Sequence, residues 1–222
     1  MNFRHEWKHE ITVSDLITIR QRMRVVAEPD EHATDGKYRV RSLYFDTPTD
    51  RVFREKRDGV GCREKFRLRY YNDDLSWICL EKKTKQNGLG SKQSVCLTQE
   101  ETAALLRCEP EWMAEHKQPL VQELYAKMKG QGLRPKTIVE YVREPFVYAP
   151  GNVRVTLDYN IRTGLLSTDF LNPDCVLVPV EAPVILEVKW DAFLPSVIRD
   201  AVGLPGRRAG AFSKYAVCRR YD

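Results

Sequence analysis

The sequence predicts an α+β domain on antiparallel sheet, with about eight strands and flanking helices. Three observations predict it. Several segments alternate polar and apolar residues with a period of two. Helical spacing is confined to short stretches between them. No repeat, low-complexity tract or Pro/Gly/Ser linker divides the 222 residues, so residues 1–222 read as one domain. About eight strands is also the number at which a barrel closes around one small ligand.

The predicted strands are residues 3–11, 38–46, 63–71, 77–85, 138–148, 153–162, 176–181 and 184–190. In the first, Arg4, Glu6, Lys8 and Glu10 share a face. In REKFRLRYY, Arg63, Lys65, Arg67, Arg69 and Tyr71 oppose Phe66, Leu68 and Tyr70. WICLEKKTK puts Glu81, Lys83 and Lys85 in phase, and Tyr141 is in phase with Arg143. In VRVTLDYNIR, Arg154, Thr156, Asp158, Asn160 and Arg162 oppose Val153, Val155, Leu157, Tyr159 and Ile161. VILEVKW aligns Glu187 with Lys189.

Helices are predicted over 12–27, where Leu16, Ile19, Met23 and Val26 recur at helical spacing. A second, 98–107, opens on the capping-box pair Thr98 and Glu101. A third, 119–129, starts at Pro119 and stops before Gly130. Residues 194–202 end before Gly203, and 212–220 form a last turn.

Half-buried strands usually carry mixed polar residues outward. Here strand after strand carries Lys and Arg with interspersed Glu. One such strand is a solvated face with cross-strand ion pairs. Five or six together point inward, to a wet cavity. Inward cations repel unless an anion sits among them, and phosphate suits the forked guanidinium and the compact ammonium. Glu6, Glu10, Glu81, Asp158 and Glu187 would neutralise the empty cavity, and some could hold a divalent cation together with substrate phosphates. Such a site fits phosphoryl transfer by positioning and charge stabilisation.

The net charge is +5, and all of it falls in residues 1–95. If most of that excess faces inward, net charge says little about partners. No apolar run approaches the roughly 18 residues of a membrane span, and the charged N-terminus is not a secretory signal. The six cysteines form no C-x-x-C pair and histidines number four, which argues against a zinc site or disulfide scaffold. Reduced thiols and a cytoplasmic location are expected. His5 and His9 fall opposite Lys8 and are not read as ligands. Walker, dinucleotide-binding, kinase and nucleophile-elbow motifs are absent.

In order, HEWKHEI, YRVRSLYFDT, REKFRLRYY, LEKKTK, VRVTLDYNIR, ILEVKW and FSKY resemble the VTC domain. This is the catalytic domain of vacuolar transporter chaperone polyphosphate polymerases, among the triphosphate tunnel, or CYTH-like, metalloenzymes. SLYFDT, R-x-R and the terminal SKY are the most telling. The resemblance runs from about residue 3 to 218. It implies an antiparallel eight-stranded β-barrel tunnel with flanking helices, holding triphosphate or polyphosphate with Mn²⁺ or Mg²⁺. In the polymerase, the γ-phosphate of ATP passes to a growing polyphosphate.

Carried over by position, Lys8 matches the basic residue of the first tunnel strand. Arg67 and Arg69 match the phosphate-gripping pair, Lys83 the next strand's lysine and Arg154 the later arginine. Glu187 matches the metal-binding glutamate, Lys189 is its strand partner and Lys214 matches the lysine of SKY. Strand phase adds Arg41 and Lys65 as phosphate-binding residues. CYTH enzymes begin E-x-E-x-K, whereas this chain reads Glu6-x-Lys8-x-Glu10, which weakens Glu6 as a second metal ligand. The sequence shows neither the phosphate-sensing domain nor the membrane helices of the eukaryotic polymerases, leaving room for a separate membrane-protein partner.

Three functions follow: a polyphosphate polymerase, a tripolyphosphatase or nucleoside triphosphatase on the same tunnel, and a basic module without catalysis. The third rests on KFRLRYY, whose cations and aromatics alternate as in an RNA-binding sheet. Inward-facing cations make nucleic acid the least expected partner. Removing Arg67 or Lys214 is expected to relieve repulsion and leave stability nearly unchanged or raised.

Overall fold

A computed structural model describes residues 4–86 and 89–221. Phe3, in the first predicted strand, lies outside the described residues. The strands are β1 (His5–Ile11), β2 (Glu28–Pro29), β3 (Tyr38–Asp46), β4 (Cys62–Tyr71), β5 (Ile78–Gln86), β6 (Leu89–Leu97), β7 (Arg134–Tyr148), β8 (Val153–Thr163), β9 (Val178–Pro179) and β10 (Val184–Trp190). The helices are α1 (Val13–Val26), α2 (Arg51–Arg57), α3 (Gln99–Leu106), α4 (Pro119–Gln131), α5 (Ser196–Val202) and α6 (Lys214–Cys218).

Eight strands form one antiparallel path in the order β1-β10-β8-β7-β3-β4-β5-β6, with β2 on β7 and β9 on β8. Among the described residues no ladder joins β1 to β6, so the sheet is a curled half-barrel. Its outer face is apolar and roofed by helices. Leu16, Ile19 and Met23 of α1 and Ile198 of α5 pack on Phe146, Leu157, Leu186 and Val188. Leu105 of α3 and Val121 and Leu124 of α4 pack on Leu43, Phe66, Leu68 and Leu80. A third cluster lies inside the curl, where Tyr215 of α6 joins Tyr38, Val40, Tyr44, Val139, Tyr141 and Ile161.

Local chemistry explains the boundaries. Thr12 and Asp15 cap α1 reciprocally, and Thr98 and Glu101 do the same for α3. Helix α4 runs past Gly130 to Gln131, because the left-handed stop (φ 66°) falls on Gly132. The predicted strand 176–181 shrinks to Val178–Pro179. Three elements were not predicted: the two-residue β2 (Glu28–Pro29), α2 and β6. α2 buries no residue, so it lacks an amphipathic signal. β6 reads LGSKQSVCL and owes its conformation to pairing with β5.

Candidate active site

Charge alternation becomes a tunnel floor because the ladders hold each charged phase in line. Tyr44, Arg67, Glu81 and Ser94 stand side by side across β3, β4, β5 and β6. The next row is Lys65, Lys83 and Lys92. The row on the other side is Ser42, Arg69, Cys79 and Cys96. On the facing wall, Lys8, Glu187 and Thr156 align across β1, β10 and β8, and so do Glu6, Lys189 and Arg154. Phe66, Leu68 and Tyr70 take the opposite, helix-covered face, as their phase predicts.

Arg67 is buried and donates its Nε to Glu81 at 2.6 Å and Nη1 to the Tyr44 hydroxyl at 2.9 Å. Arg69 donates to Ser42 Oγ at 3.0 Å and to the Tyr141 hydroxyl at 3.2 Å. Glu81 also pairs with Lys92. Burial opposes its ionisation, but Arg67, Arg69 and Lys92 outweigh that and hold its carboxyl far below the usual range.

Lys83 has no ion-pair or hydrogen-bond partner among the described residues. The guanidinium of Arg67, then burial, then Lys189 push its ammonium well below the usual lysine range. Lys65 stands over the Tyr44 ring, 5.6 Å from its centroid. Burial, reinforced by Arg67, Lys8 and Lys56, brings its pKa down to about 8. Tyr44 is lowered to about 7: burial alone would raise it, but Arg67, Lys65 and Arg69 win. Directly opposed like charges destabilise a sheet; Glu81 answers Lys92, but Lys65 and Lys83 have no ion pair among the described residues, so the row calls for a further anion.

On the facing wall Lys8 pairs with Glu6 (2.5 Å) and Glu187 (3.4 Å), and Lys189 with Glu187 (2.5 Å) and Glu6 (3.6 Å). Glu187 is buried, which opposes its charge, yet Lys189, Lys8, Arg143 and Lys83 hold it well below the usual carboxylate range. Lys83 comes from β5 and Lys8 from β1, so this carboxylate feels both walls. Arg143 forks onto Asp158 through two 2.7 Å bonds. Lys214, at the start of α6, reaches Asp158 at 2.6 Å and lies 4.4 Å from the Tyr141 ring centroid. Arg154, near the rim, bonds Asp30 and the Tyr38 hydroxyl, both at 2.7 Å.

The structure therefore brings Lys8, Lys65, Arg67, Arg69, Lys83, Arg154, Glu187, Lys189, Lys214 and Glu6 to one concave surface. It corrects Arg41. The inward residues of β3 are Tyr38, Val40, Ser42 and Tyr44; Arg41 points to the other face. There it meets Glu140 at 2.7 Å and the carbonyls of Asn172 and Pro173. It is not placed to bind tunnel phosphate. The alternation of β8 also breaks: Asn160 takes φ 51° opposite a register shift in β7. Ile161 thereby turns inward and Arg162 out. Sequence reasoning gave no role to Arg143, Tyr44, Ser42 or Lys92. The phase of Arg143 with Tyr141 was the available signal; the hydroxyls of Ser42 and Tyr44 hid among apolar residues.

Could a divalent cation fit? Among the described residues no three His, Cys, Asp or Glu side chains form a cage. The donor set is instead Glu187 with Glu6 across the strand. Directly opposite Glu187, the buried Thr156 Oγ1 has no hydrogen-bond partner among the described residues. Two carboxylates and one unpartnered hydroxyl fit a hard cation that draws its other ligands from phosphate and water.

The family model for the VTC domain matches residues 3–221. Among solved structures, the fold is similar to that of an adenylyl cyclase candidate from Hippeastrum with a dominant triphosphatase activity. That match has 12% identity and a TM-score of 0.57, covering 100% of this chain and 96% of the other. It is also similar to an adenylate cyclase candidate from Bacillus halodurans, with 12% identity and a TM-score of 0.51, covering 85% and 80%. At such identity these two show the fold alone. No curated protein matches the chain.

Proposed function

The chain belongs to the VTC domain family, and from that premise we propose that it is a phosphotransferase moving the γ-phosphate of ATP onto polyphosphate. The observation that carries this is the Lys65–Lys83–Lys92 row, which has a surplus of positive charge facing Glu187 across the curl. A chain of phosphates laid along it supplies the anion that Lys65 and Lys83 lack and competes with Glu81 for Lys92.

Arg67 and Arg69 then grip phosphate oxygens, pre-aimed by Glu81, Tyr44 and Ser42. Lys83 regains its full charge as an anion arrives. Arg143 and Lys214, both anchored on Asp158, offer remaining protons from the opposite side. Lys8 and Lys189 pass from Glu187 to phosphate, freeing that carboxylate. Glu187, Glu6 and the Thr156 hydroxyl are the residues that would hold Mn²⁺ or Mg²⁺. A cation held there offsets phosphate charge and steadies the leaving group. The rest of catalysis is alignment and charge stabilisation.

The triphosphatase reading keeps the same residues with water as acceptor. The triphosphatase activity of the Hippeastrum protein, which shares the fold, is what favours it. In the test, purified protein is incubated with ATP and Mn²⁺ or Mg²⁺, then assayed for polyphosphate on gels and for free phosphate. Long chains support the polymerase; phosphate without chains moves the assignment to triphosphatase. Neither product, with salt-sensitive oligonucleotide binding that survives Glu187→Gln, overturns both. The burial of Phe66 and Tyr70 under helices argues against that outcome, since neither ring can stack on a base. No described helix is long and apolar enough to cross a membrane, and a membrane partner remains part of this proposal only.

A further inference from the structure

Six cysteines are scattered through the sequence, yet two meet. Cys79 of β5 and Cys96 of β6 are directly opposed in the antiparallel ladder. Their sulfurs are 3.9 Å apart. Directly opposed antiparallel residues have Cα atoms about 4.5–5.5 Å apart, inside the span a disulfide accepts. Side-chain rotation, without strand movement, is enough to bring them to bonding distance. Cys62, Cys108 and Cys175 have no sulfur neighbour among the described residues.

The location gives the pair a purpose. Both cysteines continue the row of Ser42 and Arg69 and so stand on the tunnel surface. Glu81 and Lys92 are close enough to affect the charge of Cys79. β6 is an edge strand: one ladder joins it to β5, Val95 and Leu97 pack it under the helices on the outer side, and on its tunnel side it is held by the Lys92–Glu81 pair. Lys92, which completes the lysine row, sits on that strand. Whatever fixes β6 fixes the third cation of the row.

We propose that Cys79 and Cys96 form a reversible thiol-oxidation site that, on reaction with a peroxide, staples β6 to the tunnel wall. Cys96 is exposed and reacts first. Its thiolate sulfur attacks one peroxide oxygen, the O–O bond breaks, and Cys96 becomes a sulfenic acid as hydroxide leaves. Cys79 then attacks that sulfur, the S–S bond forms, and the sulfenic oxygen leaves as water. Two thiols lose two electrons, and one hydrogen peroxide becomes two waters. Burial and the neighbouring Cys96 raise Cys79 to about 11, which leaves the first attack to Cys96; in the second, intramolecular step proximity offsets the low thiolate content of Cys79. Thioredoxin-type dithiols reverse the bond by exchange.

Stapling holds Lys92 beside Lys83 before an anion arrives. Preorganised cations bind phosphate chains more tightly, because less ordering is left to do. They also release them more slowly, so turnover falls while affinity rises. The turnover effect rests on the phosphotransferase reading; the chemistry of the pair does not.

The test uses full-length Cys62→Ser/Cys108→Ser protein, removing the other two exposed thiols. Hydrogen peroxide should remove two titratable thiols and two hydrogens by intact mass, with a Cys79–Cys96 peptide that dithiothreitol dissolves. The oxidised form should bind tripolyphosphate about fivefold more tightly by calorimetry, and Cys96→Ser should show neither change. Retention of both thiols, or oxidation to separate sulfinic acids, overturns the site. A disulfide with unchanged tripolyphosphate affinity overturns its control of the tunnel. Absence of ATP turnover in both redox forms, with the binding shift intact, would instead count against the function proposed above.

Discussion

Glu81 stands directly opposite Arg67 in the β4–β5 ladder and accepts both its Nε and a terminal nitrogen, at 2.6 and 2.5 Å. Arg69 and Lys92 converge on the same carboxylate. One buried acid thus holds three cations of the wall in place when no substrate is bound.

Glu81→Gln should therefore destabilise the empty protein and not the loaded one. Breaking a buried ion pair costs about 3–5 kcal/mol, a fall of roughly 6–20 °C in melting temperature at this size. Saturating tripolyphosphate should recover most of it, because its oxygens replace the carboxylate. Melting curves with and without tripolyphosphate check this; an equal loss in both would show that Glu81 shapes the wall without standing in for substrate. The same pairing revises the expectation for Arg67→Ala and Lys214→Ala. Each leaves a buried carboxylate short of a partner, so each should lose stability.

Lys83 is where relief of repulsion is expected. Among the described residues no carboxylate pairs with it directly, and Arg67 and burial outweigh the pull of Glu187. Lys83→Met keeps most of the stem and removes the charge. It should raise the melting temperature by about 2–4 °C while lowering turnover roughly 100-fold or more. Parallel melting and ATP-consumption assays separate the two effects, and a destabilised variant would refute the unpaired-cation assignment.

The sequence carried the tunnel because most of its strands bury one face under helices and line the cavity with the other. Lys65, Arg67 and Arg69 keep strict phase for that reason, as do Glu187 and Lys189. β3 defeats the pattern. Both its faces are buried, its cations pair outward with Glu140 and Asp73, and its inward face uses hydroxyls. An alternating string cannot say which phase is inside when both are covered. Nor can it place Asn160, since one added residue flips everything beyond it, or β6, whose Gly, Ser, Gln and Lys fold only against β5.

Arg41 makes that ambiguity measurable. Arg41→Met removes the Glu140 pair and the two loop carbonyl bonds from the outer face. A loss of about 3–5 kcal/mol is expected, read by urea unfolding, with turnover per folded molecule unchanged within about twofold. A large loss of turnover at full folding would return Arg41 to the phosphate site.

Tyr44 and Lys65 titrate close to neutrality, at about 7 and about 8. Both lie below their unfolded values, so the unfolded chain holds more protons from about pH 7 upward. Stability of the empty protein should accordingly rise with pH from about 7 towards 9, above which Cys79, raised to about 11, and Tyr70 and Tyr159, raised to about 12, pull it back down. A bound phosphate chain pulls both pKa values up, so binding takes up protons and weakens as pH rises through 7–9. Calorimetry of tripolyphosphate binding in buffers of different ionisation heat reads the uptake directly; no dependence on buffer would refute it.

Glu187 and Thr156 face each other across β10 and β8, one carboxylate bound by two lysines and one hydroxyl with no hydrogen-bond partner among the described residues. Glu187→Gln should cut turnover about 100-fold and abolish Mn²⁺ binding that depends on tripolyphosphate. Thr156→Val discriminates further. It removes a buried hydroxyl that has no partner in the empty protein, so stability should hold or rise. If that hydroxyl serves the loaded state, affinity for Mn²⁺–tripolyphosphate should still fall about fivefold. Unchanged affinity in Thr156→Val, with the Glu187→Gln effect intact, would confine the cation to the carboxylates and phosphate alone.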